Sequence, residues 1–118
     1  MPKVVLDTNA LLLPFERSIN IDAQLRSLLG QCDVYVPGPI VGELKRSENK
    51  HAPAALRLLS RYTIEDTRAV GDAAVIELAM KLNAYVVTND RVLIAKLRKQ
   101  RVKTIVMRGG SHLALDDG

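Results

Sequence analysis

Short runs of strand-forming residues recur along the chain with helical patterns between them: VVL at 4–6, VYV at 34–36, YTI at 62–64, YVV at 85–87 and TIVM at 104–107. This alternation constrains the fold more than any other feature. Strands that are apolar on both sides have to be covered on both faces, and the helices between them supply the cover. Helical spacing falls over residues 21–30, 40–48, 53–60, 72–82 and 91–100. Val75, Leu78, Ala79 and Leu82 form one apolar stripe, and Leu93, Ile94 and Leu97 another. YTI suits either an edge strand or a loop. With right-handed crossovers and the first strand central, YVV lies beside VVL. At 118 residues the chain is expected to form one α/β domain, 1–118, with Gly109-Gly110 ending the fold and residues 109–118 a short tail.

Two of the runs end alike, and that repetition bears on function. KVVLDTNALL (3–12) and AYVVTND (84–90) both pass from strand residues directly into Asp, Thr and Asn. In a parallel α/β sheet, ligands bind beyond the carboxyl ends of the strands, where strand order reverses. Asp7 and Asp90 stand at those ends and are expected to face one crevice. Glu43 follows Ile40 by three residues and precedes Leu44, at the border of an apolar helical stripe, and Asp72 opens its helix. Both can lean into the same crevice. Capping is the alternative for each acid: Asp7, Asp72 and Asp90 all suit a helix N-cap, and Glu43 suits a surface acid paired with Arg46 or Lys50. Capping explains any one of them, but not why two strands deliver the same Thr, Asn and Asp chemistry.

Composition excludes several other classes. Cys32 is the only cysteine, so neither an internal disulfide nor a cysteine-rich zinc site is available, and a half-buried apolar role suits it better than a catalytic thiol. No run approaches membrane-spanning length and no charged-then-apolar leader opens the chain, so no membrane partner and a cytoplasmic location are expected. The aromatic residues are Phe15, Tyr35, Tyr62 and Tyr85, too few for a sheet paved with base-stacking rings.

VVLDTNALL, VGELKR and GDAAVIELAMKLNAYVVTND, in that order over nearly the whole chain, resemble the PIN-domain nucleases. The resemblance implies a three-layer α/β fold with a parallel, flavodoxin-like sheet of about four to five strands in the order 3-2-1-4-5. It implies a metal-dependent endoribonuclease whose ions are surrounded by Asp7, Glu43, Asp72 and Asp90. Thr8, Asn9, Thr88 and Asn89 match the polar residues that support those acids, with Thr88 nearest the metals. Homodimerisation is an expectation from the family alone. LDTNALLLPF, GELKR and GDAAVIELA look more like the branch that processes ribosomal RNA, with a ribosomal precursor particle as partner, than like the toxins that pair with an antitoxin. Toxins often follow the last acid with another acid and an aromatic residue, whereas Arg91, Val92 and Leu93 stand here.

Elementary chemistry reaches a similar site. Four converging carboxylates in a partly dry crevice repel one another and lose hydration, and a cation resolves the conflict. Hard oxygen donors without His or Cys select Mg²⁺ or Mn²⁺, as one ion or two. The net charge is +4, from 17 basic and 13 acidic residues; with the four site acids set aside, 17 bases face nine acids, which favours RNA as partner. Lys45, Arg46 and Arg91 adjoin the proposed ligands and are the expected phosphate contacts. Lys96, Arg98, Lys99, Arg101 and Lys103 form a basic end that suits a solvated helix face equally well. His51 and His112 are read as surface residues. Two rivals remain: a catalytically inert RNA-binding or assembly module on the same fold, against which the full acid set argues, and a phospho-receiver or phosphatase. Receivers pair adjacent acids early, and aspartyl-nucleophile phosphatases carry an acid where Asn9 stands.

Overall fold

The computed structural model describes residues 1–116. Its elements run β1 (Lys3–Leu6), α1 (Thr8–Glu16), α2 (Ile21–Leu29), β2 (Asp33–Pro37), α3 (Gly38–Arg46), α4 (Ala52–Leu58), β3 (Thr63–Glu65), α5 (Gly71–Leu82), β4 (Tyr85–Val87), α6 (Arg91–Lys99), β5 (Thr104–Arg108) and β6 (His112–Leu115). The sheet order is β3-β2-β1-β4-β5-β6, parallel except for β6, which pairs antiparallel with β5. The order 3-2-1-4-5 implied by the family resemblance is thus the observed one, extended by a sixth strand.

The central position of β1 follows from its composition. Val4, Val5 and Leu6 have no exposed surface, because β2 and β4 flank the strand and helices cover both faces. Val5 is opposite Tyr35 on one side and Val86 on the other, so β1 and β4 end level with each other. That register brings Asp7 and the 88–90 segment together. α1, α3, α4 and α5 pack among themselves, with α5 lying on β1, α6 on β5 and α2 on β6. YTI is an edge strand, β3, with Ile64 exposed.

Two elements depart from the sequence expectations. A helix beyond the five, α1, follows Asp7 and contains Pro14. Ala10, Leu11, Leu12 and Leu13 are consecutive and all buried, so this run shows no alternation of apolar and polar residues to betray a helix. Beyond Gly109-Gly110 the chain makes β6 and does not fray. Leu113 is buried, its amide donates to Gln24 Oε1 at 3.1 Å, and Arg98 makes a bidentate pair with Asp116 at 2.9 and 3.0 Å. Arg98, read as part of a solvated basic face, therefore fastens this segment. Residues 117 and 118, the end of the expected tail, lie outside the described residues.

Candidate active site

Asp7, Thr8, Asn9, Glu43, Asp72 and Asp90 line one crevice of about 220 Å³, with Ile40, Gly71 and Val75. Each acid arrives on a different element. β1 ends at Leu6 and delivers Asp7 as the N-cap of α1; β4 ends at Val87 and Asp90 caps α6. α3 presents Glu43, and Asp72 sits in the first turn of α5. Three helix N-termini thus border the crevice, and their partial positive charge favours anions there.

Asp7 is the buried member, with 6% of its surface exposed. Its Oδ1 accepts from the Ala10 amide at 2.7 Å and its Oδ2 from the Thr88 hydroxyl. Its pKa is pushed up to about 6 by the loss of hydration on burial; the Thr88 and Ala10 hydrogen bonds hold it back, and the charges of Asp90 and Asp72 raise it further. Thr88 is fully buried and reaches the crevice only through Asp7; the same hydroxyl oxygen accepts from the Asp90 amide at 3.0 Å, so it joins the two acidic segments. Asp90 Oδ1 accepts from the amides of Val92 and Leu93 at 2.9 and 3.1 Å. Glu43 Oε2 accepts from the Thr8 hydroxyl at 2.6 Å.

Asp72 is arranged differently. Val70 occupies the cap position of α5 without a side-chain bond, so Asp72 does not cap. Gly71, at φ 61°, makes the turn that a residue with a Cβ would strain to make, and this sets Asp72 on the crevice wall. Its partner is Lys96 of α6, at 3.5 Å. Sequence reasoning had no sign of this, because Lys96 is one of several lysines and arginines on the last helix.

Several expected residues stand elsewhere. Asn89 is exposed and its Oδ1 accepts from the Met107 amide at 2.8 Å, which ties the β4–α6 turn to β5 and keeps the side chain out of the crevice lining. Lys45, Arg46 and Arg91 are exposed and do not line the crevice, and the Arg46 guanidinium folds back over Gly42 on its own helix.

Among the described residues no three His, Cys, Asp or Glu side chains are gathered closely enough to hold an ion as they stand. Their chemistry nonetheless fits one. The lining is carboxylate, hydroxyl and amide oxygen without His or Cys, and the buried carboxyl is raised toward neutrality by desolvation and like charge, the condition a cation relieves. No helix among the described residues is long and apolar enough to cross a membrane.

Comparison with known proteins agrees with this fold. A family described as "PIN like domain" matches residues 4–110. Ribonuclease VapC4 of Methanocaldococcus jannaschii is 31% identical over 120 residues, 92% of each chain. Ribonuclease VapC9 of Archaeoglobus fulgidus is 28% identical over 83% of this chain and 77% of its own. The PIN domain endonuclease Utp24 superposes with a TM-score of 0.81 at 18% identity, covering 97% of this chain and 90% of that one. VapBC2 from Rickettsia felis, bound to a DNA fragment from their promoter, gives 0.64 at 17% identity over 88% and 98%. The last two likenesses concern the fold. The family match over most of the length and the shared α/β architecture place this chain in the PIN-domain family of nucleases.

Proposed function

We propose that the chain is an endoribonuclease that hydrolyses RNA phosphodiester bonds with Mg²⁺ or Mn²⁺, held by Asp7, Glu43, Asp72 and Asp90. One observation carries this: four acids from four separate elements line one crevice around a buried carboxyl whose pKa is raised to about 6. Bound there, a divalent ion would supply a more acidic water and a counter-charge for the phosphate. The chain's own contribution is position. Thr88 orients Asp7 and the Asp90 turn together, Thr8 holds Glu43 toward the crevice, and the three helix N-termini favour an approaching phosphate. Arg91, at the first position of α6, and Lys45 and Arg46, at the end of α3, offer phosphate contacts outside the crevice.

The motif text inclines this reading toward ribosomal-RNA processing. A second reading has its own support: the two curated relatives are named ribonuclease VapC, and one matched structure holds VapBC2 on promoter DNA. A ribonuclease toxin working with an antitoxin fits those names.

The test is cleavage of labelled RNA with Mn²⁺, Mg²⁺ and chelator in parallel, for the wild type and Asp7→Asn. Cleavage is expected only with a divalent ion and only in the wild type. Equal cleavage in chelator, or by Asp7→Asn at the wild-type rate, would remove the assignment; RNA binding without cleavage would leave an inert module.

A further inference from the structure

Three of the four crevice carboxylates are held by neutral donors: Asp7 by Ala10 and Thr88, Glu43 by Thr8, and Asp90 by Val92 and Leu93. Asp72 is the exception. Among the described residues it accepts no hydrogen bond from a neutral group, and what it has is the ammonium of Lys96, 3.5 Å away, from α6 to α5. Two other members of the basic end are engaged differently: Arg98 with Asp116, and Lys103 over the Tyr85 ring at 5.6 Å. Lys96 meets a site acid.

The local structure explains why it can. Side chains on a helix tilt toward its N-terminus, and Lys96 stands next to buried Leu97 and one turn after buried Leu93, at the border of the packed side of α6. The pair is loose. Lys96 has half of its side chain exposed and Asp72 more than a third, and an ion pair so open to water is readily exchanged for a better partner. A divalent cation at Asp72 is such a partner, and by like charge it drives the ammonium off. RNA then brings to the same rim the one group of opposite charge that an ammonium can take, a phosphate oxygen.

We propose that Lys96 is a positioning residue of this crevice: its ammonium occupies Asp72 until a divalent ion takes that carboxylate, and then moves to a phosphate of the bound RNA. The inference rests on the divalent-ion reading given above and deepens it, by naming a competitor for the ion and a contact for the substrate within one side chain.

The experiment uses Mn²⁺ alone and then a labelled RNA, with the wild type, Lys96→Met and Lys96→Arg. In thermal melts titrated with Mn²⁺, Lys96→Met is expected to lower the Mn²⁺ concentration at half-maximal stabilisation by about two- to fivefold, the range for losing a competitor held in a half-exposed pair. At saturating Mn²⁺, its KM for RNA is expected to rise by a similar factor with kcat little changed, and Lys96→Arg to restore both values. A role confined to holding the fold would lower the melting temperature without moving either quantity. A Mn²⁺ midpoint in Lys96→Met equal to the wild type overturns the competition, and an unchanged KM overturns the transfer to phosphate. If the wild type itself shows no Mn²⁺-dependent shift, the divalent-ion reading and this one fall together; a wild-type shift with no effect of Lys96→Met sinks this one alone.

Discussion

Replacing Asp7 by Asn should invert the relative stability of mutant and wild type as pH rises. In the folded protein the Asp7 carboxyl is raised from its ordinary 3.8 to about 6, chiefly because burial strips its water. A raised pKa means that the folded state holds the proton more tightly than the unfolded chain. The associated stability is therefore fully present below about pH 3.8 and is lost as pH rises through about 6. The rise from 3.8 to about 6 is worth about 3 kcal/mol, and the burial of Asp7 leaves little water to screen it. Asn carries no such term. It still caps α1, because its Oδ1 can accept from the Ala10 amide. It loses the oxygen that accepts from Thr88, at about 1 kcal/mol. Asp7→Asn should therefore be less stable than wild type by about 1 kcal/mol near pH 4 and more stable by about 2 kcal/mol above pH 7, without divalent ions. Urea unfolding in chelator across that range measures it, since the difference between the two proteins cancels the titration of the other carboxylates. Parallel curves, or a wild type that gains on the mutant between pH 4 and 6, would refute both the desolvation of Asp7 and its like-charge surroundings.

Three further outcomes are expected. Thr88→Val removes the hydroxyl that lowers the Asp7 pKa, so the acid limb of the cleavage pH profile should move to higher pH; an unmoved limb would detach Thr88 from Asp7. Glu77 accepts from the Arg68 amide through both oxygens at 2.9 and 3.1 Å and from the Ala69 amide at 3.0 Å, and these bonds hold its pKa below the usual carboxylate range. Its contribution is present above the ordinary carboxyl pKa and lost as pH falls through the lowered one. Glu77→Gln should speed hydrogen exchange at Arg68 and Ala69 and leave cleavage intact, and unchanged exchange at both amides would show that Glu77 does not fasten the loop. Arg101 holds a left-handed backbone at φ 58°, where glycine is at ease, so Arg101→Gly should stabilise the fold by about 0.5–1 kcal/mol in urea unfolding. A clear loss would mean that the Arg101 side chain holds the fold.

The chain's local patterns determined the α/β architecture and which acids stand at the ends of its strands. An unbroken VVL or YVV can be satisfied only inside a covered sheet, and the residue that ends such a strand is at the sheet's carboxyl edge wherever the strand lies. Hence the expected juxtaposition of Asp7 and Asp90 could be read from the letters, whereas the full strand order came from the family resemblance. Asp7 and Asp90 also show that capping and a place in the crevice are not alternatives: one carboxylate oxygen binds the helix amides while the residue still lines the crevice. Local pattern failed where a residue's partner comes from a distant segment. α1 was hidden because neighbours bury every side of its Ala-Leu-Leu-Leu run, and four consecutive apolar residues show no helical period. HLAL became a strand because β5 offered an edge, and Gln24 and Arg98, 89 and 18 residues from their partners, were placed to secure it. Asn89 and Thr88 are adjacent and similar in chemistry, yet one turns to Met107 and the other to Asp7, since successive residues leaving a strand point to opposite sides. Lys96 and Asp72 lie 24 positions apart on different helices, and only the tertiary fold brings ammonium to carboxylate. Sequence period and end-of-strand chemistry are properties of a segment; pairing is a property of two segments, and the tertiary fold decides which two meet.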